Sequence, residues 1–168
     1  MAMPGVLCSV QNLVTICVDR CGNGFGGEAW HCYADEPLRF SSPDEMVLQL
    51  DRLFDRLSLP QAENWFRCFS GGKRHGFLRP VTGAMPLKKL DQREILQRTG
   101  ACATFVLHVQ YRQNCTWQGS LIWVEGESRM QFRSVLELLK IMDHVLTRGA
   151  MPLREADVSQ PDGEPVTA

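Results

Sequence analysis

Seven cysteines and four histidines are the groups in this 168-residue chain most able to do chemistry, and their spacing decides which chemistries are open. Cys17 and Cys21 are separated by three residues, and His31 and Cys32 follow across what reads as a hairpin. Sulfur and imidazole ligands would then lie on neighbouring strands. Structural zinc sites use closer cysteine pairs in turns and need a second pair, so these thiols read as small buried hydrophobes, and no metal ligand or cofactor is assigned. A cysteine nucleophile needs a base within reach. Cys32 has His31 beside it, but successive strand residues point to opposite faces. Cys115 has a base only if His75 or His108 approaches it in space. Gly22-Asn23-Gly24-Phe25-Gly26-Gly27 invites a phosphate-loop reading, yet such a loop should open a helix, and here the next residues read as strand. No catalytic residue is assigned.

Recognition chemistry is denser. The turn Tyr111-Arg112-Gln113-Asn114-Cys115-Thr116-Trp117-Gln118-Gly119 combines flat aromatic area with side chains that hydrogen-bond in a directed way. Tyr111, Arg112, Gln113, Asn114, Trp117 and Gln118 are therefore candidate binding residues. The competing role is structural: a Trp near a turn packs on its cross-strand neighbour, and Gln or Asn closes the turn's backbone bonds. A second candidate lies in the stretch 58–103, which carries eight basic residues against three acidic ones. There Lys73, Arg74, Arg79, Lys88 and Lys89 are candidates for contacting an anion.

The elements that must position these residues follow from hydrophobic periodicity. Thr104 to Tyr111 alternates as a strand, Ser120 to Glu125 returns, and Arg129 to Phe132 reads as a third strand. Ser134 with Glu137 forms a capping box, predicting a helix whose Val135, Leu138, Leu139, Met142, Val145 and Leu146 face the core, with Gly149 as its stop. The same plan occurs earlier. Sliding Leu13 to Leu57 forward by 92 positions sets Arg20 on Arg112, Phe25 on Trp117, Gly27 on Gly119, Phe40 on Phe132, and Ser42 and Glu45 on Ser134 and Glu137. Two β-β-β-α pseudo-repeats, 13–57 and 105–149, are the expectation, joined by the basic insert 58–103. Within that insert Leu87 to Arg98 has helical spacing. Residues 150–168 are polar and proline-containing and are expected to be a disordered tail.

The run FVLHVQYRQNCTWQGSLIWVEGESRMQFRSVLELLKIMDHVL resembles small uncharacterised proteins of gut Firmicutes that carry YRQN, WQG, FRS before a helix, and a helix like LELLKIMDHVL. Leu38 to Leu57 with Pro60 and Gln61 is similar to another part of them. The resemblance implies a bacterial cytosolic setting and brings no reaction, cofactor or catalytic residue.

At 44% apolar residues the chain can bury a full core, and a net charge of −1 argues against a general polyanion binder. No apolar run is long enough to span a bilayer, and the first residues lack an export pattern. The expected fold is α+β: one compact domain over 1–149, a mostly antiparallel sheet, and both long helices on one face. The expected function is a non-catalytic cytoplasmic binding or regulatory module that engages a protein through the exposed sheet face and the 112–118 turn. Nucleic-acid binding through the basic 67–98 stretch and the 111–118 turn is the alternative, and a cysteine-dependent enzyme is third. Oligomeric state is not read.

Overall fold

The computed structural model describes residues 10–62 and 87–148. Lys73, Arg74, Arg79, His75, the Gly149 stop and the tail 150–168 lie outside the described residues. The fold is α+β. Strands β1 (Leu13–Gly22), β2 (Gly24–His31) and β3 (Leu38–Phe40) precede helix α1 (Pro43–Leu57). A short helix α2 (Gln92–Leu96) leads into β4 (Ala103–Tyr111), β5 (Gln118–Trp123), β6 (Ser128–Phe132) and helix α3 (Val135–Arg148). The six described strands form one antiparallel sheet in the order β3-β2-β1-β4-β5-β6, so β1 and β4 meet at its centre.

Both long helices cover the same face. Val14, Ile16 and Val18 of β1 and Phe105, Leu107 and Val109 of β4 share one cluster with Met46, Leu50 and Phe54 of α1 and Leu138 and Met142 of α3. Cross-strand pairs such as Val14 with Leu107 and Ile16 with Phe105 keep these side chains on the helix side. Each fully buried Leu, Ile or Phe among them contributes roughly 2–3 kcal/mol from area removed from water.

The other face, expected to be exposed, is open only in part: Arg129 and Gln131 of β6 on it are exposed, but its centre is enclosed. Leu13, Thr15, Cys17, Thr104, Val106 and Ser120 on it are buried. The segment 87–102 crosses the β1–β2 part of this face, with Ile95 fully buried and the Arg98 guanidinium 4.1 Å from the Trp30 ring centre. Helical spacing from Leu87 predicted a longer helix than the five residues of α2. The reason is local: the amides of Lys89 and Leu90 both donate to the Cys32 carbonyl, which ties that chain to the end of β2. The helix starts only after Asp91, whose side chain caps it while Glu94 accepts from the Asp91 amide.

The caps of α1 and α3 differ from the predicted box in one respect. The Glu45 and Glu137 amides donate to Ser42 and Ser134 Oγ, as expected. The carboxylates, however, accept from the amides of Ser41 and Arg133, one residue before each cap. Val135 in the first turn of α3 donates to Thr116 Oγ1, which fastens the helix start to the β4–β5 turn.

Register relates the two halves differently from the ungapped alignment. Gly27 pairs with Phe40 and Gly119 with Phe132, a shift of 92 between β2–β3 and β5–β6. The bulge in β1 lies between Val18 and Arg20 and that in β4 between Val109 and Tyr111, a shift of 91. Arg20 thus follows its bulge as Tyr111 follows the other, where the ungapped alignment set it on Arg112, and the β4–β5 turn is one residue longer than the β1–β2 turn. At each bulge a glycine is required by close approach: a Cβ on Gly27 would collide with the Cys17 carbonyl oxygen, and one on Gly119 with that of His108.

Candidate functional site

The six candidate binding residues divide into two groups when the turn is seen against α1. Asp51 and Asp55, one helical turn apart, project from the same side of α1. Arg112 is only 7% exposed and sends Nη2 to Asp51 Oδ1 at 2.7 Å and to Asp55 Oδ1 at 2.6 Å. Its Nη1 reaches the Pro60 carbonyl at 3.5 Å. Trp117 is buried, donates Nε1 to the same Asp51 oxygen at 3.0 Å, and meets Phe54 edge-on at 5.3 Å between ring centres. Both side chains are spent on joining the turn of the second half to the helix of the first. Gln118 closes the turn on itself, accepting from the Gln113 amide at 3.2 Å and donating to the Gln113 carbonyl at 3.1 Å.

Three candidates remain outward. Tyr111 is 57% exposed, and Gln113 and Asn114 are exposed beside it. Asn114 and Cys115 both occupy the left-handed region, with φ of 54° and 58°. That conformation is uncommon for residues with a Cβ.

The cysteine and histidine candidates do not gather. Val14 pairs with His31 and Cys17 with Glu28, so the His31 imidazole lies on the helix face and the Cys17 thiol on the other. Burial, then Asp19 and Glu28, pushes the Cys17 thiol up to about 11. Burial also raises the Cys32 thiol, so neither offers a ready thiolate. His31 is 4% exposed, accepts from the Tyr33 amide at Nδ1, and is held down to about 4 by burial and then by Arg56. Its Nε2 is buried without a hydrogen-bond partner among the described residues. His108 is likewise lowered by burial and then by Arg129. Cys115 is exposed at the loop tip, and among the described residues no hydrogen bond joins it to a histidine. No group of three metal-ligating side chains occurs among the described residues.

Of the anion-contacting candidates, Lys88 and Lys89 are described and exposed. Lys89 Nζ pairs with Asp35 Oδ2 at 2.8 Å, so one of these two charges is already matched. Sequence reasoning did not find Asp51 and Asp55 as partners of Arg112, although their four-residue spacing places two carboxylates on one helix face. It also missed Cys21 and Cys102, whose sulfurs lie 2.6 Å apart at the exposed end of β1. Eighty-one residues separate them, and no local pattern signals such a pairing. No protein-family model matches the chain, and no curated protein or solved structure matches it either. No described helix is long and apolar enough to cross a membrane.

Proposed function

We propose that the chain is a non-catalytic cytoplasmic binding or regulatory module, and that its partner is a protein met by the outward side of the 111–118 turn. One observation carries this reading. The turn is anchored from below by Arg112 and Trp117 on Asp51 and closed by Gln118, while Tyr111, Gln113 and Asn114 face solvent. A loop ordered before it meets its partner loses less entropy on binding, and Tyr supplies flat contact area with few rotors. The reading also takes the halves as copies of one β-β-β-α module. The paired bulges and paired Ser-Glu caps support that, with one residue added in the second turn.

The test is affinity capture with the tagged full chain at about 0.15 M and 0.5 M salt, across which phosphate-driven complexes weaken steeply. A protein retained at both salts, and lost from a chain carrying Tyr111→Ala with Asn114→Ala, supports the proposal. A nucleic acid that is released at the higher salt and still binds the double variant would replace it.

A further inference from the structure

Cys21 is the penultimate residue of β1, two residues beyond its bulge, and Cys102 ends the connector just before β4. The backbone holds them together independently of the sulfurs. The Cys102 amide donates to the Val18 carbonyl at 2.8 Å, the Ala101 amide to Asp19 Oδ1 at 3.0 Å, and Gly100 packs so closely on the Val18 backbone that a Cβ would not fit. Both thiols are exposed, and their Sγ atoms are 2.6 Å apart. Cys17 and Cys32, by contrast, are buried.

We infer that Cys21 and Cys102 are a redox-responsive pair, two thiols when reduced and one intramolecular disulfide after meeting a hydroperoxide. The Cys21 sulfur attacks a peroxide oxygen; an S–O bond forms, the O–O bond breaks, and the leaving oxygen departs protonated as water or an alcohol. Cys102 then attacks that sulfur, the S–S bond forms, and the S–O bond breaks to release water. Two thiol protons and two electrons pass to the peroxide. Cys102 suits the second step by position: its sulfur is already 2.6 Å from the Cys21 sulfur, and it attacks once it has released its proton. The bond would staple the connector that carries α2 and Arg98 to the end of β1. In a reducing compartment such a pair acts as a transient sensor and not as a permanent cross-link.

The experiment treats the reduced full chain with hydrogen peroxide, alkylates the remaining thiols, and maps peptides by mass. Cys115 provides an internal standard, being a single exposed thiol at the opposite end of the sheet, where β4 ends. The expected product joins the Cys21 and Cys102 peptides with the loss of two hydrogens, is reversed by a phosphine reductant, and is absent from Cys21→Ser and from Cys102→Ser. The oxidised chain should melt about 5–10 °C above the reduced one, a gap that either serine variant abolishes. Separate alkylation of the two thiols after peroxide, linkage of either to another cysteine or to a second chain, or an unchanged melting temperature on linkage would overturn the inference.

Discussion

Arg112 of the β4–β5 turn and Asp55 of α1 meet at 2.6 Å, joining side chains from opposite halves of the chain through a guanidinium only 7% exposed. The carboxylates differ in exposure, at 17% for Asp55 and 41% for Asp51, so the inner pair carries more of the interaction. Removing Arg112 leaves Asp55 half-enclosed without its cation. Arg112→Met should cost about 2–4 kcal/mol of stability, less than a fully buried pair because solvent reaches Asp51. In a double-mutant cycle with Asp55→Asn, denaturant unfolding should show coupling of about 1–2 kcal/mol, and simple additivity would disprove the pairing.

Trp117 is expected to behave as a core residue. Trp117→Ala should lower stability by about 3–5 kcal/mol, whereas Trp117→Phe, which keeps the contact with Phe54 and loses the bond to Asp51, should cost about 1–2 kcal/mol. A Trp117→Ala chain with an unchanged unfolding midpoint would contradict the burial.

His31 sets a pH dependence. Its folded pKa, about 4, is below the ordinary value of 6.5, so between those values the unfolded chain binds a proton that the folded chain refuses. Stability is complete above about pH 6.5 and should decline by roughly 1–3 kcal/mol as pH falls toward 4. Urea midpoints at pH 7 and pH 4.5 for the wild type and for His31→Gln measure this. Equal pH slopes in the two proteins would remove His31 as the cause.

The bulge glycines make a matched pair of tests. Gly27→Ala and Gly119→Ala should each destabilise by about 2 kcal/mol or more, because the obstacle is a neighbouring strand's backbone. Gly22→Ala, where a Cβ meets nothing within 4 Å, should fall within about 0.5 kcal/mol of wild type. Thermal unfolding of the three variants separates close approach from loss of flexibility at turns.

Much of the fold is legible in local chemistry. The Ser-x-x-Glu spacing marks the starts of α1 and α3, and the apolar alternation of Thr104 to Tyr111 marks β4 to within a residue. The one-residue change of register is hidden because β1 and β4 are buried on both faces. When Leu13, Thr15 and Cys17 are as enclosed as Val14, Ile16 and Val18, sliding the strand by one residue leaves an equally apolar pattern. The turn residues were visible as a cluster, but their roles depend on Asp51, Asp55 and Phe54, which reach them only once α1 lies across the sheet.

The central position of β1 and β4 has a consequence during synthesis. The first three strands emerge together and can zip up as neighbours, yet β1 keeps one row of its peptide groups unmatched until β4 has left the ribosome. For that interval the nascent half is a bare sheet edge rich in Val and Ile, and another nascent chain is a competing template for it.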